Sequence, residues 1–263
     1  MKPTMIVGMT DAAPLAGRTM VVTGASSGIG RGIALAAARA GADVALTYQS
    51  NAAGARQTAA DVETIGRRAL VSQMDLADAE SIHALAQEVS TAFGRIDAWV
   101  NNAGADIVTA GGDDMSRLDK LDLLLRVDLR GTMIASWKAA ELMSVQTDGG
   151  VIINISWDHV VTGMQGTNPQ LYAAAKGGVM AFSKALARSV APRVRVNIVA
   201  PGWIETAFGS GVDRNAYREV AEMTPMKRWG TPDDVAGAVL YLASPDASFL
   251  TGTTINVGGG VVM

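Results

Sequence analysis

Short apolar runs rich in β-branched residues alternate along this chain with Ala-rich stretches of helical periodicity, and few architectures accept that alternation. The runs are Thr19 to Thr23, Asp43 to Tyr48, Ala69 to Met74, Ala98 to Asn101, Val151 to Ile155, Arg195 to Val199 and Thr253 to Val257. Helical stretches fall at Gly28 to Ala40, Ala52 to Ile65, Ala77 to Phe93, Leu118 to Met143, Gln170 to Val190 and Pro232 to Leu242. Repeated βαβ units of this kind predict an α/β fold over residues 17–263. Its seven parallel strands form one doubly wound sheet with helices on both faces. Residues 1–16 lack periodicity and are read as a surface arm.

Composition narrows the function classes. A chain of 263 residues that is 49% hydrophobic and 18% charged can bury a core unaided, and no linker, repeat or low-complexity segment divides it. A net charge of −3 provides no basic footprint for nucleic acid or an anionic membrane surface. The absence of cysteine excludes disulfides and thiolate catalysis and fits a reducing compartment. The start, Met1-Lys2-Pro3-Thr4, leads into no long apolar stretch, so no signal peptide or membrane span is expected and the protein is read as cytoplasmic. No cluster of histidine and carboxylates has metal-ligand spacing; His83 lies on a solvated helix. The 13 methionines are mostly core, with a minority available to line an adaptable apolar pocket.

Two local patterns carry chemistry. The turn Thr23-Gly24-Ala25-Ser26-Ser27-Gly28-Ile29-Gly30 joins the first strand to the first helix. Its glycines let the backbone approach a pyrophosphate where free N–H groups and the helix dipole favour anions. Tyr172 and Lys176 stand four residues apart on a predicted helix and so share a face. An ammonium beneath a phenol favours the phenolate and lowers the phenol pKa from about 10 toward working pH, which suits a general acid or base.

Together these residues resemble the short-chain dehydrogenase/reductase family, and the resemblance runs from about Leu15 to the end of the chain. Its marks are Thr23-Gly24-x-x-x-Gly28-x-Gly30, Asp75-Leu76, Asn101-Asn102-Ala103-Gly104, Tyr172-x-x-x-Lys176 and Pro201-Gly202. The resemblance implies a Rossmann-type fold and a nicotinamide cofactor. It places Asp75 and Leu76 at the adenine, Asn102 to Gly104 at the adenosine ribose, Lys176 at the nicotinamide ribose, and Ile204 and Thr206 at the carboxamide. The turn residues Gly24, Ser26, Ser27, Gly28, Ile29 and Gly30 are the expected pyrophosphate site.

Cofactor choice turns on the end of the second strand, where a carboxylate would bond the adenosine ribose and repel a 2′-phosphate. The segment reads Thr47-Tyr48-Gln49-Ser50-Asn51, without an acid. Tyr48, Gln49 and Ser50 are neutral, and the nearest cations are Arg31 and Arg56. NADP(H) is therefore expected in preference to NAD(H), which stays possible.

Two positions depart from the family pattern. Where the resemblance implies an asparagine on the long central helix, this chain has Asp128. Its main-chain carbonyl can hold a relay water as that asparagine does, while its carboxylate brings a charge that needs a partner. Where the resemblance implies a serine, the segment Ser156-Trp157-Asp158-His159 has three registers. Matching the strand end selects Trp157, counting back thirteen residues from Tyr172 selects His159, and counting forward from Asp128 selects Ser156. Ser156 and His159 rank ahead of Asp158 as donors to a substrate oxygen, and the Trp157 indole N–H can also donate.

The expected activity is NAD(P)-dependent interconversion of a carbonyl and a secondary alcohol on a small-molecule substrate. Residues Asp106 to Met115, the loop after Trp157, and Trp203 to Arg228 are expected to form the pocket. Two alternatives stand beside it: altered chemistry such as dehydration, epimerisation or imine reduction, and a dinucleotide-binding protein without turnover. The resemblance, with Ala-rich helix faces at Ala135 to Ala140 and Ala173 to Ala187, implies a homotetramer, with a dimer next.

Overall fold

The computed structural model describes residues 13–109, 111–206 and 213–263. Residues 1–12 of the predicted arm, position 110 in the first pocket segment and positions 207–212 in the last lie outside the described residues.

Seven parallel strands form a single sheet: β1 (Thr19–Val22), β2 (Asp43–Tyr48), β3 (Ala69–Gln73), β4 (Ala98–Asn101), β5 (Gly150–Ile155), β6 (Val194–Pro201) and β7 (Thr254–Val257). Their order across the sheet is β3-β2-β1-β4-β5-β6-β7. The order reverses between β1 and β4, the position where open α/β sheets gather ligands at the carboxyl ends of their strands.

Both faces of the central strands are covered, which is why those strands read as unbroken apolar runs. Met20, Val22, Val44, Leu46, Val100 and Ile153 point to one side. There they pack against α1 (Gly28–Arg39), α2 (Ala52–Thr64) and α8 (Pro232–Ala243). Val21, Ala45, Trp99, Ile152 and Val196 point to the other side. There they meet α3 (Ala79–Phe93), α5 (Thr132–Ser144) and α6 (Thr167–Val190). Leu15, assigned to the arm from sequence, is 2% exposed and belongs to the first of these cores; its N–H donates to the Ala40 carbonyl.

The long helix predicted from Leu118 to Met143 is three pieces. α4 (Arg117–Leu124) and α5 are joined by a π-helical segment, Leu125–Gly131. The wider turn brings Asp128 to a fully buried position. A further helix, α7 (Arg214–Met223), occupies part of the segment expected to be pocket loop. No helix among the described residues is long and apolar enough to cross a membrane.

Candidate active site

The loops at the carboxyl ends of the strands enclose a cleft of about 640 Å³. Its first wall is the turn after β1. Gly24, Ser26, Ser27, Gly28 and Ile29 face the cleft, with Ser27 as the N-terminal cap of α1, so the free N–H groups of that helix open toward the space. Gly30 stands behind them. A Cβ there would collide with the Gly24 carbonyl and the Asn102 amide, so its role is to let the turn close. Thr23 ties this turn to the next loop, its hydroxyl accepting from the N–H groups of Asn102 and Ala103, each at 3.0 Å.

Tyr48, Gln49, Ser50 and Asn51 line one end of the cleft, with Asp75 and Leu76 beside them. Asn51 caps α2, its side chain accepting from the Gly54 N–H at 2.9 Å. Arg31 is held by Asp61 at 2.6 Å. Asn102, Ala103 and Gly104 form the floor, and Pro201, Gly202, Ile204 and Thr206 close the far side. All of the sequence-predicted cofactor positions except Gly30 thus line one cleft.

Tyr172 and Lys176 project from the first turns of α6 into the same space. The Lys176 ammonium lies 5.5 Å from the centre of the Tyr172 ring and donates to the Ile155 carbonyl at 3.3 Å. Its other partner is Asp128, whose Oδ2 is 3.0 Å away, with both side chains almost wholly buried. Asp128 therefore sits behind Lys176 and outside the cleft lining. Burial pulls the Lys176 pKa down, but the Asp128 carboxylate and the Tyr172 oxygen outweigh burial and hold it above its ordinary value.

Tyr172 departs from the expectation. Burial raises its pKa, the charge of Lys176 lowers it, and Asp128 raises it again, so the net direction is upward. Helical spacing reveals Lys176 alone, whereas burial and the Asp128 counter-charge arise only in the tertiary fold.

The loop after β5 separates its three registers. The Ser156 hydroxyl donates to the Lys176 carbonyl at 2.9 Å and is committed to the α6 backbone. His159 is turned back, its Nδ1 2.6 Å from Asp158 Oδ1. Asp158 is fully buried, and burial raises its pKa against the lowering effect of His159. Trp157 is the residue that meets Tyr172, edge to face with ring centres 5.4 Å apart, and it stacks on His159 at 5.1 Å. Asp158 fits because Gly202 and Gly258 pass against its carboxylate; a Cβ at Gly258 would collide with Oδ2.

Asn168 and Pro169, expected in the pocket loop after Trp157, do line the cleft, but from the first turn of α6, which starts three residues before the expected Gln170. Behind the cleft, Asn101, Ser136, Asn154 and Ser183 form a buried hydrogen-bonded chain that joins β4, β5, α5 and α6. No group of three or more metal-ligating side chains gathers among the described residues.

The sequence model of a family described as Enoyl-(Acyl carrier protein) reductase matches residues 24–262. A 3-oxoacyl-[acyl-carrier-protein] reductase from Synechocystis sp. is 36% identical over 252 residues, covering 95% of this chain and 98% of the relative. A 3beta-hydroxysteroid dehydrogenase from Eggerthella lenta is 35% identical over 259 residues, covering 95% of each chain. Among solved structures, a short chain dehydrogenase from Burkholderia cenocepacia in complex with NADP superposes with a TM-score of 0.84 at 35% identity, covering 94% of this chain and 99% of that one. Fold, cleft and relatives agree: the chain belongs to the short-chain dehydrogenase/reductase family of NAD(P)-dependent oxidoreductases.

Proposed function

We propose that this protein reduces a carbonyl to a secondary alcohol, and reverses that reaction, with NADP(H) as preferred cofactor and Tyr172 as proton donor and acceptor. The observation that carries the reading is the placement of the Tyr172 phenol and the Lys176 ammonium on one face of α6, at the mouth of a cleft lined by the turn after β1. Gly24 to Ile29 would hold the pyrophosphate and Asp75 and Leu76 the adenine. Lys176 would hold the nicotinamide ribose, and Ile204 and Thr206 the carboxamide. When bound, the reduced nicotinamide supplies the hydride.

The chain's own residues manage the proton. A phenol kept protonated is poised to give its proton to the oxygen of the carbonyl being reduced. Trp157 meets the Tyr172 ring, and its indole N–H would supply a hydrogen bond to that oxygen. Gln49, Ser50 and Asn51 put no carboxylate at the end of β2, the α2 N-terminus among them favours a 2′-phosphate, and the neighbouring Asp75 carboxylate accepts from the Gln49 amide at 3.4 Å. The rest of the cleft wall, with Ile107, Val108, Met164 and Trp203, suits an apolar or medium-sized substrate. We place the protein in the cytoplasm as a homotetramer.

The test is Tyr172→Phe, which removes only the phenolic oxygen. Turnover of a carbonyl panel, followed at the reduced-nicotinamide band, should fall at least about a hundredfold while NADPH affinity persists. Unchanged turnover would remove Tyr172 from the mechanism.

A further inference from the structure

Asp128 does more than fill a buried position. Its Oδ2 lies 3.0 Å from the Lys176 ammonium, and its Oδ1 accepts the Ala105 N–H at 2.7 Å. One carboxylate thus joins the π-helical segment, α6 and the loop after β4 immediately beyond Asn102 to Gly104. Gly104 packs against it so closely that a Cβ there would come within 2.9 Å of Oδ2.

The surrounding charges leave this pair to itself. Arg126 and Arg130, on the same turn, are exposed, and Arg130 donates to the Ala77 carbonyl. Lys120 of α4 is taken by the Asp113 carbonyl and the Asn168 side chain. On α5, Lys138 pairs with Glu141. Asp158 and His159, from the loop after β5, pair with each other.

We propose that Asp128 is a positioning residue, the fixed counter-ion of Lys176, which anchors the ammonium and balances its charge so that Tyr172 faces a net-neutral pair rather than a free cation. A neutral pair keeps the phenol protonated, biasing the site toward donating a proton in carbonyl reduction over accepting one in alcohol oxidation. The upward direction for Tyr172, to which Asp128 contributes, agrees with that geometry. The inference rests on the Tyr172 and Lys176 assignment, yet its test reads the phenol directly and needs neither substrate nor turnover.

The experiment is a pH titration of the full-length protein labelled with tyrosine enriched in carbon-13 at Cζ. The Tyr172 resonance is assigned by its loss in Tyr172→Phe. In the native protein it should titrate above about 10, the ordinary phenol value. Asp128→Asn retains an acceptor for Ala105 but removes the charge, and the midpoint should fall by about one unit or more. A purely structural role would change the unfolding temperature without moving this midpoint. Asp128→Ser carries the same expectation if the asparagine variant does not fold. A native midpoint below about 9 overturns the proposal whichever variant folds. So does a midpoint equal or higher in the variant, or no titration in either protein before unfolding.

Discussion

Trp157 sets an indole against Tyr172 on one side and His159 on the other. Trp157→Phe keeps the ring contacts and deletes the N–H. If that N–H stabilises the developing alkoxide, the barrier should rise by about 2 to 4 kcal/mol with NADPH affinity unchanged; equal kcat in the two proteins would reduce Trp157 to a wall. Behind it, burial holds the Asp158 pKa above its ordinary value against the lowering effect of His159. A folded-state pKa above the unfolded one means that folding takes up a proton, so the Asp158 contribution is full below about pH 4 and is lost as pH rises through the folded value. The native chain should therefore lose stability relative to Asp158→Asn between acid and neutral pH, and urea midpoints at both ends check it. Tyr172 and Lys176 were legible in the sequence because spacing on a single helix is local. The Ser156 to His159 segment was not, because its register depends on where Asp158 finds room between strands distant in sequence.

The strands were legible for a similar reason: a centre buried on both faces leaves an unbroken apolar run that length alone identifies. The π-helical segment was not, because a few wider turns barely disturb a periodicity averaged over the long Leu118 to Met143 pattern. Neither was α7, which buries no residue and is held by its Asp213 cap and by Tyr217 stacked on Trp229 at 4.9 Å. α8 starts with a capping box in which Thr231 and Asp234 satisfy each other's backbone N–H groups. Thr231→Ala should cost about 1 kcal/mol in denaturant unfolding. The Arg228 guanidinium holds the Asp234 carboxyl well below the usual range, so its contribution is present above about pH 4 and fades as pH falls toward the folded value. The end of β2 carries the cofactor prediction: NADPH should bind more tightly than NADH, and Gln49→Asp should shrink or reverse that preference. Titration with both cofactors decides it, and tighter NADH binding by the native protein would refute the assignment.

At the scale of the molecule, β7 is an edge strand, and Phe249 and Tyr241 near it are exposed, as is Trp137 on α5, which packs edge to face with Phe182 of α6. Two such faces, each pairing with itself across a two-fold axis, would close a tetramer. Light scattering at micromolar protein should report four chains; a monomer would overturn that expectation. The seat of Asp158 ties the loop after β5 to the C-terminal turn in another sense. Only a residue without a side chain is tolerated at position 258 while position 158 is acidic. The two sites are therefore epistatic. Gly258→Asp alone should destabilise the fold by at least about 2 kcal/mol, and adding Asp158→Gly should recover much of that loss.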